Sequence, residues 1–149
     1  MQQLIDELTE KMIRYVPNWS KPFYIYTDAS DVGVGGYLFQ KGDNEEIMPI
    51  LFFSKGLSPV MSRWSVYERE AYGLIYAISK CKPYLGKRFT VYTYHKPLLA
   101  LIKSIKEDTA SHKVYRWLMA IAQYPCDIVH VQGKDNVIAD ALYPHLCLQ

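Results

Sequence analysis

The residues Phe23-Tyr24-Ile25-Tyr26-Thr27-Asp28-Ala29-Ser30, followed closely by Gly33-Val34-Gly35-Gly36-Tyr37-Leu38-Phe39-Gln40, decide the architecture. Phe23 to Asp28 is dense in aromatic and β-branched side chains, which suit the pleated surface of a strand. Alternation along that strand places Tyr24, Tyr26 and Asp28 on one face. Ala29 to Val32 turns the chain, and Gly33 to Gln40 supplies a second strand. Lys41-Gly42-Asp43-Asn44 is a hairpin signal, after which Ile47 to Ser54 returns as a third strand. Pro49 has no N–H to give to a ladder, so this third strand belongs at a sheet edge or carries a bulge.

Beyond this meander the period of the apolar residues changes. From Arg63 to Lys82, Leu74, Ala77, Ile78 and Cys81 recur at helical spacing. Glu70 lies one turn before Leu74 on the same stripe, which aims a carboxylate toward the sheet. Glu68 is two residues away, about 200° around the helix, and points elsewhere. Pro83 and Gly86 end this helix, Phe89 to Thr93 is a fourth strand, and Pro97 to Lys103 is a short helix. Val114, Trp117, Leu118, Ile121 and Ala122 mark a further helix that stops before Pro125. Asp127 to Val131 is a fifth strand, and Asn136 caps a last helix in which Val137, Asp140 and Ala141 share a face.

Upstream, Ile5, Leu8 and Met12 predict a short helix over residues 3 to 14. The order β-β-β-α-β-α-α-β-α predicts an α/β fold. Its five-stranded mixed sheet has its first three strands antiparallel and is flanked by helices. Residues 1–20 read as a lead-in helix and linker, and 21–149 as one domain.

A chain of 149 residues, half of them apolar, can bury one full core, and a net charge of +2 argues against disorder or a strongly basic tail. Between Lys80 and Arg116, however, nine Lys or Arg face only Glu107 and Asp108, so either a phosphate-tracking surface or an ordinary solvated helix face is expected there. Cys81, Cys126 and Cys147 are odd in number and lack CxxC spacing, which indicates neither a disulfide framework nor a zinc site. The four histidines share no metal-ligand spacing. The longest apolar run, Ile47 to Phe53, is too short to span a bilayer. No membrane association and an intracellular setting are the expectation.

Asp28 at a strand end, Glu70 on a helix facing the sheet and Asp140 at the start of the last helix can converge. Clustered carboxylates raise one another's pKa unless a cation sits among them, and hard oxygen ligands suit Mg²⁺. Two such ions, roughly 3.5 to 4 Å apart, can activate water and stabilise the leaving oxygen of a phosphodiester. On composition alone the ordinary reading, that each acid is a turn, surface or cap residue, carries more weight.

The motifs change that balance. Tyr26-Thr27-Asp28-Ala29-Ser30, Gly33 to Gln40, Phe53-Ser54-Lys55-Gly56-Leu57, Tyr67-Glu68-Arg69-Glu70-Ala71-Tyr72-Gly73, Tyr84 to Phe89, His95-Lys96-Pro97-Leu98 and Gly133 to Leu142 resemble the ribonuclease H domains of gypsy-type retrotransposon reverse transcriptases, in the family's order. The resemblance implies a Mg²⁺-dependent endonuclease, with Mn²⁺ also accepted, that cuts the RNA strand of an RNA/DNA hybrid. It implies Asp28, Glu70 and Asp140 as catalytic metal ligands. It also implies upstream reverse transcriptase domains in a polyprotein, and a cytoplasmic particle or the nucleus as the place of action; a homodimer is left open.

Tyr94 departs from the pattern: it stands in Thr93-Tyr94-His95-Lys96-Pro97-Leu98 where the family has an aspartate ligand. A phenol with a pKa of roughly 10 stays neutral and offers one weak oxygen. Impaired or absent hydrolysis, a pseudoenzyme, is therefore expected, with hybrid binding partly retained. Tyr143-Pro144, where the family usually has Ser-Arg, is a second departure.

Gly33, Gly35 and Gly36 either admit an RNA backbone or mark a bulge or close strand crossing. His95, Lys96 and Lys134 are candidates for phosphate contact. Trp64, Tyr67 and Trp117, at helical positions beside apolar neighbours, read as core rather than as stacking platforms. The rival readings are a non-cleaving binding module for nucleic acid or protein, and a structural connection domain, which predicts an exposed apolar patch.

Overall fold

The aromatic run does form a strand, and the next two follow it as a meander: β1 (Tyr24–Ala29), β2 (Gly33–Lys41) and β3 (Ile47–Gly56). The computed structural model of the chain describes residues 15–93 and 112–131. β1 pairs antiparallel with β2, Tyr24 opposite Phe39 and Asp28 opposite Gly35, and β2 pairs antiparallel with β3. The chain continues through α1 (Pro59–Ser62), α2 (Val66–Cys81), a short 3-10 turn over Lys82–Tyr84, β4 (Phe89–Thr93), α3 (His112–Ala122) and β5 (Cys126–His130). The sheet order is β3-β2-β1-β4-β5, with β4 parallel to β1 and β5 parallel to β4. This is the mixed five-stranded sheet that the sequence predicts, its first three strands antiparallel. The helices expected over residues 3 to 14, over Pro97 to Lys103 and after Asn136 lie outside the described residues.

Pro49 satisfies both halves of its expectation. It lies on edge strand β3 opposite Phe39, and the ladder shifts register between Leu38 and Phe39. At Gly36 the backbones of β2 and β1 leave no room for a side chain: a Cβ there would overlap the Tyr26 carbonyl oxygen of β1. The close-crossing reading therefore holds for Gly36. Gly33 and Gly35 are buried in β2, opposite Gly56 and Ser54 of β3.

The helix expected from Arg63 begins at Val66, because Ser65 caps it. The Ser65 hydroxyl accepts from the Glu68 N–H at 3.2 Å, and the Glu68 carboxylate accepts from the Ser65 N–H at 3.3 Å. Arg63 and Trp64 belong to the turn leaving α1. Apolar periodicity does not foresee that short helix, although Ser58 caps it and Pro59 opens it in the manner of a helix start.

Two apolar layers cover the sheet. On one face Ile25, Leu38, Phe53 and Val91 meet Ala71, Leu74, Ala77, Ile78 and Cys81 of α2 and Val114, Leu118 and Ile121 of α3. On the other, Tyr26, Tyr37 and Phe39 are buried with Tyr24, Phe52, Tyr92 and Val131 packed on them. The expectation that Tyr67 is core is corrected: it is 43% exposed. The buried residues of α2 begin at Glu70, so the first helical turn overhangs the sheet. Trp64 and Trp117 are half-buried and pack against each other and Tyr72.

Tyr15 to Pro22 is tied down by fully buried Gln40. Its Oε1 accepts from the Tyr15 hydroxyl at 2.6 Å and the Asn18 N–H at 2.9 Å. Its Nε2 donates to the carbonyls of Asn18 at 2.8 Å and Lys21 at 3.1 Å. An amide buried in β2 is thus satisfied almost entirely by the incoming segment.

Candidate active site

Asp28 is the penultimate residue of β1, the middle strand of the sheet, and is only 5% exposed. Its Oδ1 accepts from the Ala29 N–H at 2.9 Å. Glu70, in the second turn of α2, is 8% exposed and faces the sheet on the stripe of Leu74 and Ala77. Burial pushes the Glu70 carboxyl up to about 8, and the charge of Asp28 acts in the same direction, opposed by Arg69. Two acids separated by 42 positions therefore sense each other within one buried site. In the absence of an added cation, Glu70 holds its proton through neutrality.

Glu68, the other candidate on this helix, does different work. Its Oε2 lies 2.7 Å from the Lys113 ammonium of α3, which holds the Glu68 carboxyl below its ordinary range. Its Oε1 closes the cap with Ser65. Glu70 faces the sheet as its helical position predicts, whereas Glu68 is paired with α3. Arg69 donates to the carbonyls of Ser62 and Trp64, which braces the turn before the helix.

The parallel pairing of β4 with β1 puts Thr93 opposite Thr27, one residue before Asp28. Tyr94, His95, Lys96, Lys134 and Asp140 lie outside the described residues. Among the described residues no group of three or more His, Cys, Asp or Glu is placed to hold a metal ion. Of the three expected ligands, the described residues include Asp28 and Glu70.

Part of the expected basic surface is paired with acids. Arg88 is bidentate to Asp127, with Nε donating at 2.9 Å, and Lys113 is paired with Glu68. Lys113 also lies 3.7 Å from the Trp64 ring centroid and 5.7 Å from that of Trp117. Sequence reading misses this arrangement, although Ser65-x-x-Glu68 carries the capping-box spacing that announces half of it.

A family model for the RNase H-like domain found in reverse transcriptase matches residues 18–124. The chain belongs to that family. This RNase H-like domain is 32% identical over 128 residues to the retrovirus-related Pol polyprotein from transposon opus of Drosophila melanogaster, covering 85% of this chain and 12% of that protein. It is 30% identical over 136 residues to the Pol polyprotein from transposon gypsy of the same organism, covering 90% and 12%. The chain thus spans about an eighth of these curated relatives.

Among solved structures, the prototype foamy virus protease-reverse transcriptase matches with a TM-score of 0.67 at 13% identity, covering 88% of this chain and 18% of that one. A foamy viral protease-reverse transcriptase in complex with RNA/DNA hybrid matches at 0.59 and 17% identity, covering 76% and 16%. RNase H1 from Halobacterium salinarum matches at 0.58 and 15% identity, covering 81% and 93%. These likenesses establish the ribonuclease H fold. Among the described residues no helix is long and apolar enough to cross a membrane.

Proposed function

We propose that this domain is the ribonuclease H part of a retrotransposon reverse transcriptase. Its site is built to hydrolyse the RNA strand of an RNA/DNA hybrid, and turnover is impaired in this chain by Tyr94. The observation that carries the reading is the buried Asp28–Glu70 pair on the innermost strand and its covering helix. Burying two acids together opposes ionisation of both, and a donor set of carboxylate oxygens suits a hard divalent cation. Asp28, Glu70 and Asp140 would hold Mg²⁺, or Mn²⁺ in its place. When bound, the ions supply a more acidic water and charge stabilisation for the departing oxygen.

The chain's own residues do the rest. β1 and α2 would hold two of the acids in one buried place, and Glu70 would give up its proton to receive the cation. Lys96, Lys134 and His95 are assigned to the phosphates of the hybrid, and Gly33 and Gly35 to the strand bordering Asp28. Residues 1–20 lead from upstream polymerase domains, in keeping with the polyprotein relatives, and the domain acts in a cytoplasmic particle or the nucleus. At position 94 a neutral phenol replaces an acid, which weakens the site it would share with Glu70.

Cleavage of a labelled hybrid in Mg²⁺ and in Mn²⁺ tests this directly. Tyr94→Asp should cut at least about tenfold faster, as expected for restoring a ligand; equal rates for the two proteins would overturn the assignment. The second reading, a non-cleaving module that holds hybrid or a protein partner, is favoured by Tyr94 together with Tyr143-Pro144. It predicts that Tyr94→Asp leaves the chain inactive while hybrid affinity stays unchanged.

A further inference from the structure

Lys113 occupies the first turn of α3, where the helix dipole disfavours a cation. Its ammonium is nevertheless drawn inward, 3.7 Å from the Trp64 ring centroid and 2.7 Å from Glu68 Oε2, with Trp117 on a further side. Both members of the ion pair are more than half covered, so solvent screens them less than it screens the Arg88–Asp127 pair. The same Glu68 carboxylate uses its other oxygen to cap α2 through the Ser65 N–H. One glutamate thereby joins the first turn of α2 to α3, two residues before Glu70.

That location matters because Glu70, two residues further on, is the first buried residue of α2 and the one the helix start must hold against the sheet. A helix is most easily displaced at its end, where the first-turn N–H groups have no intrahelical partner. We infer that Lys113, through Glu68 and between Trp64 and Trp117, is a positioning residue. It clamps the start of α2 so that Glu70 stays beside Asp28 and the pair is ready to receive a divalent cation. The inference rests on the proposed metal site and assigns Lys113 no contact with substrate.

The test uses the full chain as wild type, Lys113→Met, Lys113→Arg and Glu68→Gln, with circular dichroism to confirm folding. Mn²⁺ affinity is measured by paramagnetic resonance, and hydrogen exchange by NMR for the amides of Glu68 and of Ile78. Lys113→Met keeps the apolar stem and loses the charge; Glu68→Gln keeps the cap and loses the ion pair. Both should weaken Mn²⁺ binding by about fivefold to tenfold and speed exchange at position 68 but not at Ile78, a size fitting a partly buried charge pair. Lys113→Arg should stay within about twofold of wild type, since a guanidinium can pair and stack in the same place. Arg88→Met, which breaks the more exposed pair, should leave Mn²⁺ affinity unchanged.

Wild-type Mn²⁺ affinity in Lys113→Met, with Glu68 exchange accelerated, would overturn the positioning role and leave the metal site standing. Equal losses in Lys113→Met and Arg88→Met would overturn it as well, by showing a general charge effect. A wild-type chain that takes up no Mn²⁺ would overturn both this inference and the reading beneath it.

Discussion

Replacing Glu70 with glutamine in the metal-free protein should remove a loss of stability that the wild-type chain suffers as pH rises. The folded chain holds the Glu70 proton up to about pH 8, against an ordinary value of 4.5. Between those values the folded state binds more protons than the unfolded state, so the contribution of Glu70 is fully present below pH 4.5 and is lost as pH rises through 8. The difference of about 3.5 units corresponds to on the order of 4 to 5 kcal/mol. The amide introduced by Glu70→Gln cannot ionise and shows no such loss. Urea unfolding followed by tryptophan fluorescence, in a chelator at half-unit steps from about pH 5 to 9, measures both proteins across the window that these two values bound. The two should be close in stability near the acid end, and Glu70→Gln should be the more stable by several kcal/mol once the pH exceeds 8. Taking the difference removes the titrating groups that do not interact with Glu70. Mg²⁺ should narrow the gap at high pH by binding the ionised acid in the folded chain only. Parallel stability curves for the two proteins would refute the claim that Glu70 is buried against Asp28.

Three further outcomes are expected. Gly36→Ala should leave little folded protein, because its methyl group overlaps the Tyr26 carbonyl of a central strand; a cost of more than about 3 kcal/mol is expected in chemical denaturation. Gln40→Leu strands the Tyr15 hydroxyl and the Asn18 peptide groups, so it should cost about 2 kcal/mol and speed chymotryptic cleavage near Tyr15 and Trp19 well before global unfolding. Burial pushes the Cys81 thiol up to about 12, so a disulfide reagent at mildly alkaline pH should leave it unmodified in the folded chain and label it only under denaturing conditions.

Most of what positions the site is legible because it is written locally. The alternation of Tyr24, Tyr26 and Asp28 marks the face of β1, and Pro49 marks the edge strand. The stripe of Leu74, Ala77 and Cys81 separates Glu70 from Glu68 without any structure. Periodicity reports which way a side chain points along its own element, and that suffices for these residues. It does not report where an element overhangs its neighbour, which is why Tyr67 reads as core and is not. It also does not report pairings between distant segments. Lys113 with Glu68, and Arg88 with Asp127, read as surface charges until the fold joins them. The helix α1 escapes for a simpler reason: a four-residue helix has no apolar period to detect, only the Ser58-Pro59 cap.

The buried amide of Gln40 has a mechanical consequence. Tension applied upstream of Tyr15 would reach the domain through a cluster of hydrogen bonds on β2, a strand with partners on both sides, rather than through an edge that could peel. A pull on this segment would have to part several hydrogen bonds to one buried amide before it reached the strand ladder.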